Sequence, residues 1–244
     1  MTNNSANTFL LKGKIAVVTG GTKGIGKAIA GAIVSAGGSV AICARSQTEI
    51  TATVSALDPR SRGIARGKVV DLRDSDAVSE FFQFVDSEFG GIDILVNNAG
   101  IGIFRSVRDF TVADWNTTLE TNLNAVFYCC HEALPRMIQR GGGSIINISS
   151  LAGRNPFAGG AAYNASKFAL NGFSEALMLD HRKDNIRVTY VMPGSVDTGF
   201  GSNTEPASWK IAPEDVAQVV MDVLAMPERT LISRVEMRPS RPAK

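Results

Sequence analysis

The 244-residue sequence is expected to fold as an α/β protein with a doubly wound, mostly parallel seven-stranded sheet and helices on both faces. Three observations carry that expectation. Seven short apolar runs recur along the chain, nearly continuous in the way of strands covered on both sides. Longer segments with helical spacing of apolar residues separate them, and the Gly-, Asn- and Ser-rich motifs fall just after the runs. In such a sheet ligands lie beyond the carboxyl ends of the strands, so those positions are the informative ones.

The first run, 15–19, is IAVVT, and a glycine cluster follows it directly. Ile25, Ala28, Ile29, Ala32, Ile33 and Ala36 then form a stripe at helical spacing, ended by Gly37 and Gly38. A strand is expected over 40–44 and a helix over 48–57, then a strand over 68–71 and a helix over 76–89. After the strand 94–97 a long helical pattern covers 114–140, with Pro135 inside it expected to kink or divide the helix. The strand 144–149 leads through a Gly/Pro-rich loop to a helix over 161–183, and the strand 186–192 follows. Pro213 with Glu214 and Asp215 opens the helix 213–224, because proline lacks only an orphan donor there and acids suit the positive helix end. The last strand is 231–237. No repeat, low-complexity segment or interdomain linker interrupts this order, so residues 1–244 read as a single domain. Within it, 1–12 are a flexible N-terminus, 193–212 a substrate lid rich in small polar residues, and 238–244 a tail.

With 44% hydrophobic residues the chain has ample material for one large core. Its formal charge of +2 comes from 25 basic and 23 acidic residues spread without a long basic run, which argues against nucleic acid or an anionic membrane surface as partner. The cluster Arg229, Arg234, Arg238, Arg241 and Lys244 reads as a solvated terminus. MTNNSANTF has no basic segment followed by an apolar core, and the apolar stretch 28–44 is broken by Ser35, Gly37, Gly38 and Ser39. A cytoplasmic protein is therefore expected. Cys43, Cys129 and Cys130 have neither C-x-x-C spacing nor a His partner at metal-ligand spacing, so reduced buried thiols and no metal are expected. His131 and His181 are taken as structural or surface residues.

The strand ends carry the chemistry. TGGTKGIG, residues 19–26, stands at the first strand-to-helix junction, where glycines permit a tight turn and close approach of backbone to a pyrophosphate. A ribose-binding acid belongs about twenty residues further on, yet the second strand ends at Cys43, Ala44, Arg45 and Ser46. Arg45, with Lys23 in the glycine loop as a second cation, suits a ribose phosphate, making NADP the preferred cofactor with NAD left open. Two solvated surface cations are the plainer reading. Asp71 is an acceptor for an adenine amino group or, alternatively, the cap of the helix beginning near Ser75. NNAG, residues 97–100, offers side-chain amides for neighbouring backbone and room beside Ala99 and Gly100 for a flat ring. Tyr163 and Lys167 lie one helical turn apart on one face. A tyrosine ordinarily ionises near pH ~10, and an adjacent ammonium favours its phenolate. Such a pair exchanges protons with a substrate oxygen.

With TGGTKGIG, NNAG and YNASK in order, the sequence resembles the short-chain dehydrogenase/reductase family over residues 14–237. The resemblance implies a Rossmann-type sheet and hydride transfer between nicotinamide and a carbonyl or alcohol carbon. By the family pattern the catalytic residues are Asn122, rather than Asn124, with Ser150, Tyr163 and Lys167; Ser150 is chosen over Ser149 because it stands thirteen positions before the tyrosine. Ser150 then positions the substrate oxygen, Tyr163 exchanges its proton, Lys167 lowers the tyrosine pKa and binds the nicotinamide ribose, and Asn122 holds a water of a proton relay. The implied cofactor contacts are Gly20, Thr22, Lys23, Gly24, Ile25, Gly26, Arg45, Asp71, Leu72, Asn98, Ala99, Gly100, Tyr163, Lys167, Pro193, Gly194, Val196 and Thr198.

One departure bears on the substrate. Many 3-oxoacyl-thioester reductases of the family end in V-D-G-G after the last strand, whereas this sequence ends VEMRPSRPAK, closer to members acting on small carbonyl compounds or hydroxy acids. Phe104, Phe157, Phe200 and Trp209 either line a pocket or pack the lid down. The expected function is an NADP(H)-dependent interconversion of a carbonyl compound and an alcohol. A 3-oxoacyl-thioester (acyl-carrier-protein) reductase and a non-catalytic NADP-binding redox sensor are the alternatives. The resemblance also implies a homotetramer or homodimer, with Val126 to Cys130 and the face around Phe168 and Phe173 serving either as interfaces or as core.

Overall fold

The strands alternate strictly between two cores. In β1 (Ile15–Thr19) Ala16 and Val18 face one side while Ile15 and Val17 face the other, and β2 (Ser39–Ala44) divides the same way. This is period-two alternation with both faces buried, which is why the sequence shows continuous apolar runs instead of an apolar-polar alternation. The computed structural model describes residues 10–57, 63–200 and 208–241. Parts of the expected N-terminal segment, lid and tail, namely 1–9, 201–207 and 242–244, lie outside the described residues.

The remaining strands are β3 (Ala65–Val69), β4 (Ile94–Asn97), β5 (Gly143–Ile148), β6 (Ile186–Pro193) and β7 (Arg234–Met237). They form one seven-stranded sheet in the order β3-β2-β1-β4-β5-β6-β7. Every pairing is parallel, so the expected "mostly parallel" sheet is wholly so. The chain reverses direction across the sheet between β1 and β4, which opens a crevice at their carboxyl ends. Helices α1 (Gly24–Ser35), α2 (Gln47–Leu57) and α7 (Pro213–Leu224) cover one face. The other is covered by α3 (Ser75–Phe89), α5 (Ala125–Gln139) and α6 (Ala161–His181), with α4 (Val112–Leu119) leading into α5.

Three boundaries differ from expectation for identifiable reasons. The third strand lies at 65–69, not 68–71: its register is set by pairing with β2, and its sequence ARGKV is too polar at an edge of the sheet to announce itself. Only the last four residues of the expected 231–237 strand pair, again at an edge. The long helical pattern is interrupted by a π turn at Glu120–Asn124, not by Pro135. Pro135 and His131, whose carbonyl loses its helix partner, are both exposed, so the proline lies on the outer side of the helix while Ala133 and Met137 stay buried.

Opposite the crevice, buried Asp93 ties the sheet together. Its carboxylate accepts from the Ile15 amide at 2.9 Å and from the Arg140 guanidinium at 3.1 and 3.2 Å. The same strand therefore has a structural anchor at one end and the candidate site at the other.

Candidate active site

Thr19 closes β1 against β4. Its hydroxyl accepts from the amides of Asn98 and Ala99, both at 3.0 Å, while the Asn98 side chain donates to the carbonyls of Thr19 and Gly20 at 3.0 and 3.2 Å. Asn97 does something else from what its sequence context suggested. It is buried in β4 and donates to the Asn147 side chain on β5 at 2.9 Å instead of to backbone. The chain then turns through Gly20, whose φ of +64° suits glycine, into α1. A Cβ on Gly26 would lie 2.3 Å from Asn98 Nδ2 and 2.4 Å from the Gly20 carbonyl oxygen, so only glycine lets helix and loop approach this closely. The first turn of α1 has neither a side-chain cap nor an acid, which leaves its amide hydrogens and positive dipole end for an anion.

A cleft of about 990 Å³ opens here, lined by the glycine loop, the NNAG end of β4, Ser150, Tyr163, Lys167 and the segment after β6. Of the residues expected from sequence, it gathers Gly20, Lys23, Gly24, Ile25, Asn98, Ala99, Gly100, Ser150, Tyr163, Lys167, Pro193, Gly194, Val196 and Thr198. Thr198 packs against the glycine loop, its Cγ2 lying 3.0 Å from where a Cβ on Gly24 would stand. Six expected residues are not on its wall. Gly26 is the packing glycine just described, and Leu72 is buried in the core beneath α3. Thr22 is buried beside α2, its hydroxyl donating to Glu49 at 3.3 Å. Asn122, Arg45 and Asp71 need separate treatment.

Asn122 is fully buried in the π turn. Its side-chain oxygen accepts from the Ile101 amide at 2.8 Å, and its nitrogen donates to the Ile101 carbonyl at 2.9 Å and to Ser166 Oγ at 3.1 Å. The amide is thus fully engaged in fixing the loop after β4 to α6, which leaves its side chain no hydrogen-bonding group for the expected water. Asp71 does not cap α3; Asp74 does, accepting from the amides of Asp76 and Ala77. Instead Asp71 holds the Arg73 guanidinium at 2.5 to 3.1 Å, which keeps its carboxyl below the usual range. Arg45 is exposed at the end of β2 and forms no ion pair with a described residue, whereas Lys23 is paired with Glu49 at 2.7 Å. The two expected cations are therefore unequal: Lys23 already shares its charge.

The corner that holds the expected catalytic residues is built by α6 and the loop after β5. Lys167 is buried; its Nζ donates to the Ile148 carbonyl at 2.9 Å and lies 5.7 Å from the Tyr163 ring centre. Burial pushes its pKa down to about 8. Burial likewise raises Tyr163, while a hydrogen bond with the Ser150 hydroxyl pulls it the other way. The lowering of Tyr163 expected from Lys167 is not found: Tyr163 is raised by desolvation, and what pulls it down is Ser150. Ser150 Oγ also accepts from the Ala152 amide at 3.1 Å, which fixes it at the head of a short 3-10 turn. Ser149 is differently used: its hydroxyl donates to Asn171 Oδ1 at 2.5 Å.

Sequence reasoning missed Asn171 and Glu49. Asn171 accepts from Ser149 and donates to the Gly153 carbonyl at 3.0 Å, so it grips the serine loop on both sides of Ser150. The signal was the continued spacing of four from Tyr163 through Lys167 to Asn171. Glu49 stands four residues after Arg45, at helical spacing.

The short-chain dehydrogenase family model matches residues 14–209. This chain belongs to the short-chain dehydrogenase family. Among its relatives, an uncharacterised oxidoreductase of Staphylococcus saprophyticus is 30% identical over 94% of this chain and 98% of its own length. An alcohol dehydrogenase from the archaeon Thermococcus sibiricus, solved with 5-hydroxy-NADP, has a TM-score of 0.88 at 26% identity, covering 95% of this chain and 99% of that one. A metagenomic short-chain oxidoreductase in complex with NADP has a TM-score of 0.85 at 37% identity, covering 96% and 100%. The chain is therefore an oxidoreductase with the Rossmann-type fold of this family. Among the described residues no helix is long and apolar enough to cross a membrane, and no group of His, Cys, Asp and Glu is placed to hold a metal.

Proposed function

We propose that this short-chain dehydrogenase interconverts a carbonyl compound and an alcohol by hydride transfer, with NADP(H) as cofactor and Tyr163 as general acid and base. The observation that carries the reading is the convergence of Ser150, Tyr163 and Lys167 on one corner of the cleft whose other end is the uncapped start of α1. The residues fit a dinucleotide. Glycine backbone and the α1 amides suit the pyrophosphate, Ala99 and Gly100 leave room for a flat ring, and Thr198 stands over the loop from the other side. Arg45, exposed where an NAD-binding acid would stand, supports the 2′-phosphate, as does the NADP in two structural relatives.

When bound, the reduced nicotinamide supplies the hydride. The chain supplies the rest. Ser150 donates to the carbonyl oxygen and fixes it beside Tyr163, which gives up its proton as negative charge develops on that oxygen. Lys167, as an ammonium, offsets the tyrosinate left behind. Asn122 holds the corner rigid through Ile101 and Ser166. The whole chain works as one catalytic domain, and the described residues of the expected lid, 193–200 and 208–212, supply Thr198, Phe200 and Trp209 to the wall of the cleft. This arrangement favours turnover over mere sensing of the cofactor, since binding alone has no use for a proton donor.

The test is Tyr163→Phe assayed for NADPH oxidation on a panel of carbonyl compounds, beside a fluorescence titration with NADPH. A fall in kcat of roughly 10²- to 10⁴-fold with NADPH affinity retained is the expected result. Near-normal rates in the purified variant would refute the assignment.

A further inference from the structure

The Tyr163 ring is surrounded by three other rings brought in from three separate loops. Phe104, after β4, lies 5.7 Å from it edge-on; Phe200, after β6, lies 5.6 Å away; Phe157, before α6, lies 6.4 Å away. Phe104 also meets Phe157 at 5.6 Å and Phe200 at 6.5 Å. All three phenylalanines line the cleft yet remain 40 to 45% exposed, so they are its wall and not part of the core.

Space for these rings is made by glycine. A Cβ on Gly102 would lie 2.6 Å from Phe104 Cζ and 2.8 Å from Phe200 Cε1, and one on Gly160 would lie 2.6 Å from the Phe157 ring. Neither glycine has a left-handed φ, so each is accounted for by room for a ring and not by a turn. The cations at the rim already hold carboxylates: Lys210 pairs with Asp197 at 3.8 Å and Arg238 with Glu236 at 3.4 Å, and Glu236 also binds Arg154.

From the aromatic wall and the paired rim charges we propose that the substrates are neutral aryl ketones and aldehydes, the carbonyl seated at Tyr163 and the arene among Phe104, Phe157 and Phe200. The proposal rests on the carbonyl-reductase reading and narrows it. A flat ring gains edge-to-face or offset contacts against aromatic rings beyond its buried area, which a saturated ring of equal bulk does not. A carboxylate or an anionic acyl-carrier arm would lose its water and find the rim cations already paired, with only Lys167 left, whose ammonium this reading gives to the tyrosinate. In the reaction the carbonyl carbon gains a hydride, with its two electrons, from the reduced nicotinamide. The C=O π bond breaks and the oxygen takes the Tyr163 proton, leaving a benzylic alcohol, oxidised nicotinamide and a tyrosinate that is reprotonated from solvent.

The deciding experiment pairs kinetics with binding. Acetophenone, cyclohexyl methyl ketone, phenylglyoxylate and an acetoacetyl thioester are compared as oxidants of NADPH, in the wild type and in Phe157→Leu. Acetophenone binding to the NADPH complex of Tyr163→Phe is measured by calorimetry. The expected result is a kcat/KM about tenfold higher for acetophenone than for its cyclohexyl analogue, and higher still over the two anionic or thioester compounds, together with measurable binding to Tyr163→Phe. The preference should shrink in Phe157→Leu, mainly through KM. Equal use of the cyclohexyl ketone, or preference for the acid or the thioester, overturns the aryl assignment and leaves carbonyl reduction standing. Binding of acetophenone without turnover of any carbonyl keeps the pocket assignment and sinks the reading beneath it. No binding at all overturns the proposal.

Discussion

Asn171 receives the Ser149 hydroxyl at 2.5 Å, and its own side-chain nitrogen donates to Gly153 at 3.0 Å, so a single amide on α6 pins the loop that carries Ser150. Tyr163 is two turns away on the same helix. The distance between the Ser150 and Tyr163 hydroxyls, the proposed reacting pair, is thereby set by one rigid element. Asn171→Ala is expected to lower kcat about tenfold or more, because small misplacements at a reacting centre are costly. NADPH affinity should change little, and stability should fall by about 1–3 kcal/mol from the unpaired groups. Stopped-flow turnover beside a denaturant titration checks this. Equal loss of cofactor binding would show a general collapse of the site instead.

Lys167 should govern the alkaline side of the pH profile. Its ammonium is held with a pKa of about 8, and Tyr163, raised above its ordinary value, stays protonated well beyond that pH. As pH rises through about 8 the ammonium is lost, and with it the charge that stabilises the departing tyrosine proton's site. Carbonyl reduction should therefore be fastest below pH 8 and decline above it. A flat profile from pH 7 to 9.5 would separate Lys167 from the chemistry.

At the cofactor end, Arg45 and Glu49 act in opposite senses. Arg45→Ala should weaken NADPH binding about tenfold or more, the scale of a lost charge-assisted hydrogen bond, and leave NADH nearly unaffected. Glu49 holds Lys23 at 2.7 Å and lies close enough to Arg45 to feel its charge. Glu49→Gln should release Lys23 and tighten NADPH several-fold, again without effect on NADH. Fluorescence titrations with both cofactors measure the pair of variants, and an unchanged NADPH affinity in both would make these ordinary surface charges.

The apolar stretch from Val126 to Cys130 splits between core and surface. Val126, Cys129 and Cys130 are buried, while Phe127 is 50% exposed and meets Phe173 at 6.5 Å, and Phe168 on α6 is 47% exposed. A homodimer or homotetramer built on this face is the expected state. Light scattering at micromolar concentration should give two or four chain masses, and Phe127→Asp should reduce it to one.

Buried thiols show how far residue pattern reaches. Cys43, Cys129 and Cys130 were expected to be reduced and buried, and all three are free and buried, with Cys43 and Cys130 pushed up to about 12 by loss of water. Strand and helix order was legible for the same reason, since burial on both faces writes itself into continuous apolar runs. The edge strands β3 and β7 were placed in the right order but with shifted boundaries, because one neighbour alone sets their register.

What the sequence determined by itself was the α/β order, the glycine loop after β1, and the motif residues at each strand end, all properties of local spacing and local backbone freedom. Which of those residues share a cleft, it did not determine. Only packing decided that Asn122 is consumed by Ile101 and Ser166, that Lys23 is claimed by Glu49, and that Asp71 holds Arg73. Only packing brought Phe104, Phe157 and Phe200 from three loops to one tyrosine, since contacts between residues distant in the chain leave no periodic mark in it.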